Sequence, residues 1–141
     1  MAAPLLSSVL LVDDDSTTNY LNKLLLTTSM QVAQQVFVAE NGHEALVQLG
    51  QTCLTDVATC PQLILLDMNM PVMNGREFLE AYQHLPAAQR RAIVVVMLTT
   101  SLHEQDQLLA QQLPIADFVS KPLTRAKVTE LLARHFSAAT T

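Results

Sequence analysis

Short apolar runs alternate with longer amphipathic stretches along the whole chain. The apolar runs predict five β-strands, at residues 8–12, 36–39, 62–66, 92–98 and 116–120. The amphipathic stretches predict five helices, at about 17–28, 41–51, 76–84, 103–112 and 124–135, with Ser16 or Thr17, Asn41 and Thr124 as capping residues. Strands made only of apolar residues are buried on both faces, which is typical of a parallel sheet covered by helices.

Strictly alternating strands and helices with right-handed crossovers predict a doubly wound α/β fold. In such folds the functional site lies outside the carboxyl ends of the strands. The polar residues that directly follow predicted strands are Asp13, Asp14, Asp67, Thr99 and Lys121. We therefore expect these five side chains, from distant parts of the chain, to meet at one edge of the sheet.

The chemistry of these residue types indicates phosphoryl transfer. Several carboxylates at one sheet edge repel one another and require a cation. A small set of oxygen ligands suits Mg²⁺, which takes only a few carboxylates and keeps several waters. Lys121 supplies a point charge for a phosphoryl oxygen, and Thr99 supplies a hydroxyl donor. An aspartate is a suitable covalent acceptor, since the transition state needs mainly positioning and charge neutralisation.

Length and charge narrow the class of protein. A chain of 141 residues fits a single domain, 1–141. The net charge is −5 and the eight Lys and Arg residues are scattered, so we expect no nucleic-acid binding. Neither a membrane-spanning run nor a signal peptide is present, which favours a cytoplasmic protein. Cys53 and Cys60 have no metal-ligand spacing and are expected to be free thiols.

Four blocks in the sequence resemble the receiver domain of two-component response regulators. Each block lies at a predicted strand end, in the order found in that family: Val12–Ser16, Leu65–Gly75, Met97–Ser101 and Phe118–Pro122. The second block reads Asp-x-x-Met-Pro-x-Met-x-Gly, which is fairly specific by itself. The resemblance covers about residues 7–136 and implies a CheY-like, flavodoxin-like (βα)5 fold with strand order 2-1-3-4-5.

The resemblance also implies a role for each acidic residue. Asp67 resembles the residue that accepts the phosphoryl group. Asp13 and Asp14 look like the acid pair that holds Mg²⁺, with Asp14 the more direct ligand. Asp67 and the backbone carbonyl of Asn69 would complete the protein ligands.

The remaining matched positions imply a switch. Lys121 would pair with the phosphoryl group, aimed by a cis bond to Pro122. Thr99 would close onto a phosphoryl oxygen, and Phe118 would turn inward as it moves. Gly75 fits a turn that needs positive φ.

As a family member, the chain would be a signalling protein rather than an enzyme. A histidine kinase or histidine phosphotransfer protein would donate the phosphoryl group. The output would be contact with a downstream protein, and homodimerisation through the fourth helix, fifth strand and fifth helix is an additional possibility. Two alternatives stay open, a phosphatase similar to the haloacid dehalogenases and a phosphorylation-independent interaction module.

Two features depart from the family pattern. The segment 49–61 is longer than the family needs between its second helix and third strand, and we expect a surface loop or a helix extension. Asp15 adds a third acid beside the pair, and a negative charge at a helix start is favoured by the helix dipole.

Overall fold

Five parallel strands form one sheet in the order β2-β1-β3-β4-β5. The computed structural model describes residues 6–55, 60–85, 93–100, 112 and 115–136, without the side chains of 54 and 55. The strands are β1 (Leu6–Val12), β2 (Ala33–Ala39), β3 (Leu63–Asp67), β4 (Val94–Thr99) and β5 (Asp117–Ser120). The predicted doubly wound, flavodoxin-like fold is confirmed.

Helices cover both faces of this sheet. The described helices are α1 (Ser16–Leu24), continued by a π-helical turn (Leu25–Ser29), α2 (Gly42–Thr55), α3 (Gly75–Gln83) and the C-terminal helix (Arg125–His135). The helix predicted at 103–112 lies outside the described residues, apart from Gln112. No helix within the described ranges is both long and apolar enough to cross a membrane.

The period of two along the strands divides the core into two layers. In β1, Leu10 and Val12 contribute to one layer while Val9 and Leu11 contribute to the other. α2 and α3 cover the first layer, whereas the π-helical turn and the C-terminal helix cover the second. The helical residues in these layers are Ala45, Leu49, Phe78 and Leu79 in the first, and Leu26, Val128 and Leu131 in the second. Burial on both faces explains why the central strands read as unbroken apolar runs.

The strand register brings the polar strand ends together. Val12, the last residue of β1, pairs with Leu66, so Asp13 and Asp67 leave neighbouring strands at the same level. Thr99 ends β4 one residue after the partner of Asp67, and it pairs with Ser120. Lys121 follows directly. The predicted convergence at the carboxyl edge is therefore a consequence of parallel pairing.

Two of the three predicted helix caps are confirmed, and one is wrong. Asn41 and Thr124 accept backbone N–H groups from their helices, as predicted. The prediction of Ser16 or Thr17 as the cap of α1 was wrong. The Asp15 carboxylate accepts from the backbone N–H of Thr17 and Thr18, because a short acidic side chain can satisfy the first free donors of the helix.

The expectation that Cys53 and Cys60 are free thiols was wrong. The two residues form a disulfide, with their Cα atoms 4.4 Å apart. α2 continues to Thr55, four residues beyond its predicted end, and the chain then returns close to the helix by Cys60. Both cysteines are buried in the first core layer, and the expected helix extension is confirmed for residues 49–55 of this segment.

Candidate functional site

Three carboxylates and one ammonium gather at the carboxyl edge of the sheet. Asp13, Asp14 and Asp67 each offer an oxygen, and these oxygens lie within 4.8 Å of one another. The Lys121 Nζ is 2.7 Å from Asp13 Oδ2 and 3.3 Å from Asp67 Oδ1. One ammonium cannot neutralise three carboxylates, so the donor set fits a divalent cation of the Mg²⁺ type.

Asp13 is anchored through four of its polar groups. Its backbone N–H donates to the Ala39 carbonyl at 3.1 Å, which extends the pairing of β1 with β2. Its Oδ1 accepts the Asp15 N–H at 2.9 Å, and its Oδ2 accepts Lys121 Nζ. Its carbonyl oxygen accepts Asn19 Nδ2 at 2.8 Å. These bonds fix both the backbone and the carboxylate of Asp13, which is 4% exposed.

The loop that carries Lys121 is held from two sides. Its backbone N–H donates to the Thr99 carbonyl at 2.7 Å, and the Lys121–Pro122 peptide bond is cis, as the resemblance implied. From the C-terminal helix, Lys127 Nζ donates to the carbonyl and hydroxyl of Ser120 and to the carbonyl of Pro122. Lys127 therefore fixes the positions of Ser120 and Pro122, the residues on both sides of Lys121.

Burial and charge shift the two central titrating groups. Burial raises the pKa of the Asp67 carboxyl and the Asp13 charge raises it further, while Lys121 and the Asn69 backbone N–H lower it only in part. The pKa of Asp67 therefore lies above its usual value. Burial alone would lower the pKa of Lys121, but its hydrogen bond to Asp13 and its attraction to Asp67 outweigh this and raise it. Lys121 is thus held as a cation.

Gly75 is required for close packing and not for positive φ, so that expectation was wrong. No described glycine has positive φ; in this loop it is Val72 that adopts it, at 67°. A Cβ atom built on Gly75 would lie 2.6 Å from the Asp67 carbonyl oxygen and 3.0 Å from Met68 Cα. Only a glycine lets α3 begin this close to the end of β3.

Replacing Gly75 by alanine is therefore expected to lower the free energy of unfolding by about 1–3 kcal/mol, as overpacking against backbone typically does. The measurement is urea-induced unfolding. Gly50→Ala is the matched control, because Gly50 lies inside α2 and an added Cβ meets nothing within 4 Å. That variant should gain about 0.5–1 kcal/mol from improved helix propensity. Equal effects of the two substitutions would contradict the close-packing role.

The other predicted site residues occupy different environments. Asp67 and Thr99 are each 8% exposed, whereas Asp14 and Asn69 are exposed. Phe118 is partly buried and packs against the first core layer. Sequence reasoning missed Asn19 and Lys127, because neither follows a strand and a lone polar residue in a helix carries no recognisable pattern.

The fold and the site define a class of protein, the doubly wound α/β proteins with a cluster of acids and one lysine at the carboxyl edge of the sheet. We call the cluster of Asp13, Asp14 and Asp67 beside Lys121 the acidic pocket. The family model described as the response regulator receiver domain matches residues 9–133. The chain belongs to this family. Receiver domains are signalling proteins rather than classical enzymes, so the phosphatase reading finds no support.

Two response regulators are similar to this chain, one in sequence and one in structure. The response regulator Rcp1 of Synechocystis is 33% identical over 113 residues, covering 80% of this chain and 75% of Rcp1. A two-component response regulator from Cytophaga hutchinsonii superimposes with a TM-score of 0.80 at 27% identity, covering 92% of this chain and 96% of that one.

Some relatives are much longer. Hybrid signal transduction histidine kinase L of Dictyostelium discoideum is 28% identical over 136 residues, which is 93% of this chain but 7% of the kinase. Sequences similar to this chain therefore occur both in response regulators of similar length and as parts of much longer histidine kinases.

Proposed function

We propose that Asp67 accepts a phosphoryl group from a histidine kinase or a histidine phosphotransfer protein. An Asp67 carboxylate oxygen attacks phosphorus, the new O–P bond forms, and the N–P bond of the donor phosphohistidine breaks with its electron pair returning to the imidazole. The observation that carries this proposal is the nearly buried Asp67 beside Lys121, within a cluster of two further acids.

Asp13, Asp14, Asp67 and the carbonyl of Asn69 would hold the metal. When bound, Mg²⁺ would neutralise charge that develops on the phosphoryl oxygens. Lys121 would exchange part of its contact with the two carboxylates for a phosphoryl oxygen, because its ammonium already lies beside Asp67. The same pocket would catalyse phosphorylation from small donors and the later hydrolysis of the acyl phosphate.

We further propose that Thr99 and Phe118 convert phosphorylation into a change of surface. Thr99 ends β4 beside Asp67, and its hydroxyl would donate to a phosphoryl oxygen. Phe118 pairs with Met97 on the neighbouring strand and is only partly buried, and it would turn inward when Thr99 moves. The fourth predicted helix, which would complete the altered face with β5 and the C-terminal helix, lies outside the described residues.

The proposed output is a protein–protein contact, made by this chain as a stand-alone receiver. Homodimerisation through the face that contains β5 and the C-terminal helix, the identity of the target, and the cytoplasmic location stay predictions.

The test is Mg²⁺-dependent binding of beryllofluoride, which mimics the acyl phosphate, followed by fluorine NMR. We expect a bound signal at about one equivalent only when Mg²⁺ is present, because the added negative charge needs the metal. Omitting Mg²⁺ is the control. A spectrum without bound signal at saturating Mg²⁺ would reject the phosphoacceptor role and favour a phosphorylation-independent module.

A further inference from the structure

Asn19 is a buried polar residue on the core-facing side of α1. It is 3% exposed, and its Nδ2 donates to the carbonyl oxygen of Asp13 at 2.8 Å. Its Oδ1 is fully buried and has no hydrogen-bond partner in the part of the chain that the structure describes. Buried side-chain oxygens are nearly always paired, so this unpaired acceptor calls for a physical reason.

Stability does not supply that reason. A buried acceptor without a partner costs free energy, and asparagine is a poorer helix former than leucine. Leucine has the same number of side-chain heavy atoms and the same branching; it removes the unpaired oxygen but also the donor to the Asp13 carbonyl, so its two effects on stability oppose each other. The unpaired oxygen is a cost to the fold, and the hydrogen bond that the Asn19 side chain does make is the one to the Asp13 carbonyl.

That contact acts on the peptide unit that joins the two acids. The carbonyl of Asp13 belongs to the plane of the Asp13–Asp14 peptide bond, which is rigid. Asp13 is buried and anchored by other bonds, whereas Asp14 is exposed and comes after the end of β1. The orientation of this one peptide plane therefore sets the direction in which Asp14 leaves Asp13, and Asn19 is the side chain that fixes it.

We propose that Asn19 is a positioning residue of the magnesium site, which holds the Asp13–Asp14 peptide so that both carboxylates face one cation. This inference rests on the proposed function of the acidic pocket. Groups that orient metal ligands from behind typically contribute about 10–100-fold to metal affinity. Because Asn19 acts through the backbone, we expect an effect at the lower end, about tenfold.

The experiment compares Asn19→Leu with Asn22→Leu in the full chain. Asn22 is also buried, at 8% exposed, and lies three residues further along the same helix. Mg²⁺ affinity is measured by titration calorimetry on the unphosphorylated protein, and the free energy of unfolding by urea in EDTA. We expect Asn19→Leu to bind Mg²⁺ about tenfold more weakly with little change in stability, because the variant loses both the unpaired oxygen and the bond to Asp13. Asn22→Leu should bind Mg²⁺ within about twofold of the unchanged protein.

Unaltered Mg²⁺ affinity in Asn19→Leu would overturn the inference, and so would equal weakening in both variants, since that would indicate a general disturbance of α1. Asn19→Ala provides the same comparison if the leucine does not fold. A failure of the unchanged protein to bind Mg²⁺ would overturn the proposed function itself, so the two failures are distinguishable.

Discussion

Asp67→Asn is expected to reduce labelling by acetyl phosphate to background and, in the metal-free protein, to raise the free energy of unfolding at neutral pH. The loss of labelling follows because an amide cannot form the acyl phosphate. The gain in stability follows because burial and Asp13 together outweigh Lys121 at this position and raise the pKa of Asp67. Replacing a buried carboxylate whose charged form is disfavoured by a neutral amide of the same shape therefore raises the free energy of unfolding.

The sign of the pH dependence can be worked out from that shift. The pKa of an aspartate in the unfolded chain is about 4, while the pKa of Asp67 in the folded protein lies higher. The contribution of Asp67 to stability is therefore complete below the unfolded pKa and is lost as the pH rises through the folded pKa. Asp67→Asn removes this loss, so its advantage over the unchanged protein should grow as the pH rises above about 4.

The measurements are intact-protein mass spectrometry after acetyl phosphate treatment and urea unfolding in EDTA between pH 4 and 8. Asp14→Asn is the matched control, since it makes the same change of charge at an exposed site of the same cluster. Its unfolding free energy should change little because exposed charges are well screened. Labelling of Asp67→Asn at the normal rate would show that another residue accepts the phosphoryl group.

The sequence was sufficient to predict the strand ends as the site because apolar runs determine where each strand stops. Asp13, Asp67 and Lys121 could be placed together without coordinates, since parallel strands bring their carboxyl ends to one edge. What the pattern did not reveal was which groups hold these residues. Asn19 and Lys127 act through backbone carbonyls, and such contacts leave no signal in the order of residue types.

The wrong expectations for Gly75 and for the two cysteines have a common physical cause. The reason for Gly75 is a close approach between two backbones, and the disulfide depends on how the chain returns after α2. Both are properties of tertiary geometry at a few ångströms, whereas apolar periodicity specifies only which face of an element is buried. Strand starts were also missed, because Leu6 and Ala33 lie in stretches that mix apolar and polar residues.

Reduction of the Cys53–Cys60 disulfide is expected to lower the free energy of unfolding by about 2–3 kcal/mol, the value for closing a loop of this length in the unfolded chain. Urea unfolding of the oxidised protein is compared with that of protein refolded and kept in a reductant. The Cys53→Ala/Cys60→Ala double variant is the control, and its stability should not respond to the reductant. Rapid alkylation of both cysteines in native, untreated protein would contradict the disulfide.

Phosphorylation should be insensitive to the same treatment. Cys60 precedes β3, whose first residue is Leu63, while Asp67 is the last residue of that strand, so the disulfide and the acidic pocket lie at opposite ends of it. We expect equal labelling of Asp67 by acetyl phosphate in the oxidised and reduced proteins at a temperature where both are folded. Because reducing compartments keep thiols free, the receiver would then work in either redox state and differ only in its margin of stability.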